Sequence, residues 1–175
     1  LYQGIAEITA TWHDYPDAES LAVEVFLQGC LFNCKYCQNK SLQRIQKGNI
    51  QYEDMVKPIL LACKRNRTNK IVFVGGEPLL EENGNLDFIN KFLKDYKDSF
   101  DIMIYTGNNI DYIKNKNING FTFIKTGLYK HELKQETIKT DDYMIFASTN
   151  QELYDTNLKP LSINGVYKFK REENK

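Results

Sequence analysis

Apolar positions along this chain switch repeatedly between a strand-like run and a helical period. Leu21 to Leu27 (LAVEVFL) is β-branched and apolar, and it stops at Gln28-Gly29, which predicts a strand ending in a turn. Tyr52 to Arg65 spaces Val56, Ile59, Leu60 and Cys63 as one helical face. Lys70 to Val74 (KIVFV) reads as a second strand, closed by Gly75-Gly76, and Asp87 to Tyr96 returns to the helical period through Phe88, Ile89, Phe92 and Leu93. Asp101 to Tyr105 (DIMIY) is the next strand, ended by Thr106-Gly107. A short helix near Ile110 to Asn115, a strand at Phe121 to Ile124 and a last candidate strand at Tyr143 to Phe146 complete the pattern. Strand and helix in alternation predict an α/β fold with a curved, mainly parallel sheet covered by helices.

Length narrows this picture. The 175 residues suffice for one core, and a full eight-fold barrel takes roughly 250. The expectation is therefore a single domain over 1–175, a partial (β/α) barrel, with a charged tail from Lys168 to Lys175 that frays into solvent. Charge adds no direction, since 23 basic residues balance 23 acidic ones; no chain-wide field points to nucleic acid or an anionic membrane. No apolar run approaches the roughly 20 residues of a bilayer span, and the N-terminus lacks the basic-then-apolar pattern of a signal peptide. A soluble cytoplasmic protein is expected.

Composition matters most at the four cysteines. Cys30, Cys34 and Cys37 stand as C-x3-C-x2-C immediately after the first predicted strand. Without a secretory signal a disulfide framework is the poorer explanation, and thiolates suit iron in a sulfide cluster. A tight loop can wrap three thiolates around three corners of one cube, leaving the fourth iron open to a small molecule. The competing reading is zinc, with Cys63 or a histidine as fourth ligand; zinc motifs usually bring a second ligand pair, and none is present. Cys63 falls on the apolar face of its predicted helix and reads as core. His13 and His131 lie outside any ligand-spaced pair.

Polar or glycine-rich segments sit at each later strand end, where the loops of parallel sheets collect ligands. Gly75-Gly76-Glu77-Pro78 follows the second strand, Thr106-Gly107 the third and Lys125-Thr126-Gly127 the fourth. Paired glycines permit unusual torsions and close approach of a ligand to the backbone. Taken alone, the same residues could be an ordinary tight turn, and Glu77 could brace it or a nearby cation.

The C-x3-C-x-aromatic-C triplet, with Tyr36 as its aromatic residue, resembles the signature of the radical S-adenosylmethionine superfamily. The Gly75–Pro78 turn matches that superfamily's GGEP motif. The resemblance implies a [4Fe–4S] cluster on Cys30, Cys34 and Cys37, with S-adenosylmethionine chelating the open iron through its amino and carboxylate groups. It further implies Tyr36 near the adenine and Gly75, Gly76 and Glu77 at the methionine ammonium. Related activating enzymes carry Asp-x-Lys at the fourth strand end; this chain has Phe123-Ile124-Lys125, keeping the lysine without the aspartate. Thr106, Lys125, Ser148 and Asn150 are further candidates for cofactor contact, the last two within a polar cluster running from Ser148 to Gln151.

Three segments resemble activators of glycyl-radical enzymes, in particular those of anaerobic ribonucleotide reductase: Asp14-Tyr15-Pro16, Phe26-Leu27-Gln28-Gly29-Cys30 and Ala147-Ser148-Thr149-Asn150-Gln151. The resemblance implies an oxidoreductase that reductively cleaves S-adenosylmethionine and leaves a radical on a glycine of its partner. It also implies a one-electron donor such as flavodoxin. Two rival readings are a radical enzyme with another acceptor, either a small molecule (as in carboxydeazaguanine synthases) or a different glycyl-radical enzyme, and a zinc-binding module.

Overall fold

The computed structural model describes residues 1–32, 34, 37 and 39–170. In chain order the elements are β1 (Ile5–Thr11), β2 (Ala22–Leu27), α1 (Tyr52–Asn66), β3 (Lys70–Gly75), α2 (Asn85–Tyr96), β4 (Asp101–Tyr105), α3 (Ile110–Asn115), β5 (Phe123–Thr126), β6 (Ile138–Lys139), β7 (Tyr143–Ile145), β8 (Glu152–Asp155) and β9 (Val166–Lys168). Six strands form one sheet in the order β1-β2-β3-β4-β5-β8. Its four central strands run parallel, and β1 and β8 add to the two edges antiparallel. The fold is thus mixed α/β around a mainly parallel sheet. The sheet is open, bounded by β1 and β8, and does not close into a barrel.

Strand alternation explains why the sheet has two unlike faces. Val23, Val25 and Leu27 of β2, with Ile71 and Phe73 of β3 and Ile102 and Ile104 of β4, point to the helices and pack with Met55, Val56, Ile59, Phe88, Phe92 and Ile113. Phe73 meets Phe92 edge-on at 5.3 Å between ring centres, and Phe92 leans on Tyr96 at 4.7 Å, geometries that aromatic rings favour. Cys63, 3% exposed, lies within this core as its helical position predicts.

The opposite face carries Ala22, Val72, Val74 and Met103, and it is covered by a second sheet, β6-β7-β9, through Met144, Phe146 and Tyr167. The segment Tyr143 to Phe146, expected as one more strand of the main sheet, therefore belongs to this cover. Its register with Val166–Lys168 puts Lys168 opposite Tyr143, and the Phe169 N–H donates to the Asp142 carbonyl at 2.9 Å. Ordered structure thus runs into the segment expected to fray; residues 171–175 lie outside those described.

The Asp14-Tyr15-Pro16 loop is pinned on the same face. Tyr15, 2% exposed, meets Phe123 edge-on at 5.6 Å, and its carbonyl accepts from Lys139 Nζ at 2.8 Å. Tyr105 Oη donates to the Asp14 carbonyl at 2.7 Å. Among the described residues no helix is long and apolar enough to cross a membrane.

Candidate functional site

Parallel pairing brings the C-terminal ends of β2, β3, β4 and β5 to one edge of the sheet, and a cavity of about 410 Å³ opens there. Its wall contains Cys30, Cys34 and Cys37 from the loop after β2, Gly75, Gly76 and Glu77 at the end of β3, Thr106 and Gly107 after β4, and Lys125 on β5. These segments, separated along the chain, are gathered by the strand order alone. A separate hollow of about 540 Å³ between β1 and α1 contains none of the site residues predicted from sequence.

The glycine turn is shaped by the chain's own backbone. Gly75 has φ +113°, and a Cβ there would lie 2.5 Å from the Leu27 carbonyl oxygen; a Cβ on Gly76 would overlap the Gly29 carbonyl. The turn needs glycines because it is pressed against the end of β2, the strand that leads into the cysteines. Gly76 N–H donates to the Leu27 carbonyl at 2.9 Å, and Glu77 N–H donates to the Gly29 carbonyl at 2.7 Å. Cysteine loop and glycine turn are therefore directly hydrogen-bonded neighbours.

Glu77 is a latch. It is 2% exposed, and its carboxylate accepts from Leu79 N–H at 2.8 Å, Thr106 Oγ1 at 2.8 Å and Gly107 N–H at 2.7 Å. These bonds tie the end of β3 to the end of β4. Burial pushes its carboxyl up to about 7, against the downward pull of the same three donors. Both carboxylate oxygens are thus engaged within the protein, and the backbone of the turn is what it offers to a ligand. Thr106, also buried, donates to Glu77 and accepts from Asn108 N–H at 3.1 Å.

Lys125 is the cationic side chain among the described residues of the cavity wall. Its Nζ lies 4.0 Å from the centre of the Tyr105 ring and 5.4 Å from that of Phe146, so two aromatic faces hold the ammonium. Desolvation lowers its pKa to about 8, with Asp14 pulling the other way. Asp14, Glu24, Phe32 and Tyr105 also line the cavity and were not singled out as site residues from sequence. Glu24 carried a signal: a charged residue interrupting an apolar strand, turned by alternation to the face opposite Val23 and Val25. It is 8% exposed.

Ser148 and Asn150 fall beside the cavity. Ser148 is fully buried, its Oγ accepting from Lys130 N–H at 3.3 Å, and Asn150 Nδ2 donates to the Leu128 carbonyl at 2.8 Å. From the same loop it is Ala147 and Gln151 that border the cavity. Tyr36 lies outside the described residues.

The donor set can be compared with the groups it would hold. Burial and neighbouring thiols raise the pKa of both Cys30 and Cys34, and Glu77 adds to this. Ionising Cys30 and Cys34 is therefore unfavourable until a positively charged centre sits beside them. Among the described residues no three His, Cys, Asp or Glu side chains converge on a point suited to one metal ion. By donor chemistry, three thiolates suit three corners of a cubane, whereas a structural zinc centre needs a fourth ligand. Two buried polar atoms lie outside the cavity wall. Gln43 Nε2, on the residue whose carbonyl accepts the Cys30 N–H at 3.2 Å, and Asn150 Oδ1 are buried without hydrogen-bond partners among the described residues.

Residues 19–162 match the family described as a 4Fe-4S single cluster domain. The chain belongs to that family. Members hold one cluster, and the only cysteine-rich segment within the matched stretch is the one that borders the cavity. The match supports the resemblance to radical S-adenosylmethionine activating proteins. Two curated relatives are similar to parts of this chain. The chain is 35% identical over 79 residues to a GTP 3′,8-cyclase of Sulfurovum sp. (strain NBC37-1), covering 44% of this chain and 23% of that protein. It is 24% identical over 102 residues to the anaerobic ribonucleoside-triphosphate reductase-activating protein of Enterobacteria phage T4, covering 58% of this chain and 65% of that protein. The chain spans less than two thirds of the length of either relative.

Proposed function

We propose that this chain is a radical S-adenosylmethionine enzyme that activates a glycyl-radical enzyme, an anaerobic ribonucleotide reductase, with a one-electron donor such as flavodoxin as second partner. The observation that carries the reading is the convergence of the three thiols, the glycine turn and the ends of β4 and β5 on one cavity. The reductase-activating relative supports the choice of acceptor.

When bound, the cluster and S-adenosylmethionine would supply one-electron reductive cleavage of the sulfonium and, through it, hydrogen-atom abstraction from a glycine of the partner. The chain's part is to hold and to exclude. Cys30, Cys34 and Cys37 each supply one thiolate and leave one iron open. The turn at Gly75–Glu77 offers backbone groups to the methionine ammonium, fixed in place by the Glu77 latch. Lys125 would bring positive charge to the cofactor's carboxylate, and Phe32, Phe146 and Leu128 give the cavity an apolar wall.

Lys125 makes the reading pH-dependent. Its ammonium is charged below about 8 and is lost above that value. The kcat/KM for S-adenosylmethionine, which reports the free enzyme's groups, is therefore expected to fall as pH rises through about 8. Lys125→Arg should move that fall upward, since a guanidinium keeps its proton, and Lys125→Met should lower the plateau. A profile identical in all three proteins would remove Lys125 from cofactor binding.

The acceptor is tested by anaerobic incubation with the reductase, S-adenosylmethionine and a one-electron reductant. A glycine-centred radical on the reductase, formed together with 5′-deoxyadenosine, is the expected result. Formation of 5′-deoxyadenosine with a small molecule and no radical on the protein would overturn it in favour of the chemistry nearer to the cyclase relative.

A further inference from the structure

Two asparagines that the site does not otherwise use hold its two halves together. Asn85, the first residue of α2, is fully buried. Its Nδ2 donates to the Gln28 carbonyl at 2.9 Å and to the Glu77 carbonyl at 3.0 Å. Gln28 is two residues before Cys30, and Glu77 is in the glycine turn, so one amide bridges the cysteine loop and the cofactor turn. Asn83, 3% exposed, grips the same Gln28 carbonyl through Nδ2 at 2.6 Å and Gln3 Oε1 at 2.7 Å. Its own Oδ1 accepts from Asn85 N–H at 3.2 Å. Gln3 carries the network on, accepting from Gln46 N–H at 3.2 Å and donating to the Arg44 carbonyl at 2.9 Å, on the segment whose Leu42 and Gln43 carbonyls receive the N–H groups of Gly29 and Cys30.

A further feature sets Asn85 apart from ordinary core polarity. Its Oδ1 is buried with no donor among the described residues, a cost that a small apolar residue would avoid. The amide is nonetheless held where its two N–H groups face two carbonyls, one from each half of the site. We propose that Asn85 is a positioning residue that sets the spacing between the cysteine loop and the glycine turn, with Asn83 as its second grip on Gln28. The consequence for cofactor rests on the function proposed above; the consequence for the cluster rests on the three cysteines alone.

The test uses the anaerobically reconstituted full chain in Asn85→Ala and Asn83→Asp forms. The second keeps the Oδ1 acceptor for Asn85 N–H and turns the donor facing Gln28 into an acceptor. Cys63→Ala is the control for loss of core packing. Iron release to a chelator is expected to be roughly tenfold faster in both asparagine variants, the scale seen when partners of metal ligands are removed. The KM for S-adenosylmethionine should rise by about tenfold in Asn85→Ala while kcat changes little, the signature of lost binding geometry. The control should melt earlier but match the wild type in both readouts. If Asn85→Ala does not fold, Asn83→Asp decides. Folded variants that release iron and bind S-adenosylmethionine like the wild type would overturn the proposal. A wild type that holds its cluster but ignores S-adenosylmethionine would sink the proposed function, while the chelator readout would still judge the asparagines.

Discussion

Cys34→Ala is expected to leave a folded chain that assembles no stable [4Fe–4S] cluster and cleaves no S-adenosylmethionine. Cys34 is only partly buried and belongs to neither hydrophobic core, so its removal should cost within about 0.5 kcal/mol of stability. Its thiolate has no substitute, because the fourth cysteine, Cys63, sits in the helix-side core. Iron and sulfide analysis beside a thermal melt separates the two effects. A variant that keeps a full complement of iron with unchanged absorption would refute its ligand role. Cys63→Ala should show the reverse, a lower Tm with the cluster retained.

Gly76→Ala should be nearly as damaging by another route. The new methyl group would overlap the Gly29 carbonyl, and relief requires moving the turn away from β2. That movement breaks the 2.9 Å bond from Gly76 N–H to Leu27 and the 2.7 Å bond from Glu77 N–H to Gly29. Overpacking of this kind costs about 1–3 kcal/mol. Function should suffer as well, since the turn carries Glu77 and with it the latch to Thr106 and Gly107. Binding of S-adenosylmethionine, followed by calorimetry, is expected to weaken by at least roughly tenfold, equivalent to about 1.4 kcal/mol. An unchanged affinity with the predicted loss of Tm would show the turn to be scaffolding alone.

Much of the scaffold is legible in local pattern, and what is not shares a physical reason. β2, α1, β3, α2, β4 and α3 are long or apolar enough for their period to show, and their observed bounds lie close to the expected ones. β1 (IAEITAT) was missed because its small and polar residues give no clean alternation; it is a strand because β2 offers it an antiparallel edge. β6, β8 and β9 are two to four residues long, too short for periodicity, and exist through their partners. The fourth strand was displaced, expected at Phe121 to Ile124 and found at Phe123–Thr126. Phe121 is 1% exposed in the helix-side core, so its apolarity reports burial before the strand begins.

The site divides along the same line. Cysteine triplet and glycine turn are contiguous motifs whose chemistry is readable residue by residue. Asp14, Glu24 and Tyr105 reach the cavity through strand register and a long loop, and no local spacing announces that. Gly75 and Gly76 stand in the cavity wall where a ligand could approach, and their missing Cβ atoms also make room for the end of β2 and Gly29, which no local pattern announces. Ser148 and Asn150 belong to a loop that borders the cavity, and that loop turns Ala147 and Gln151 to it. Such choices depend on side-chain direction, which follows from the hydrogen bonds to Lys130 and Leu128.

The central claim, a cluster on three thiolates with one iron open to S-adenosylmethionine, is tested most directly by electron paramagnetic resonance of the anaerobically reconstituted, reduced protein with and without the cofactor. A reduced [4Fe–4S] signal that changes when S-adenosylmethionine is added is the expected result. A signal indifferent to saturating cofactor, or a protein that takes up one zinc and no iron, would contradict it.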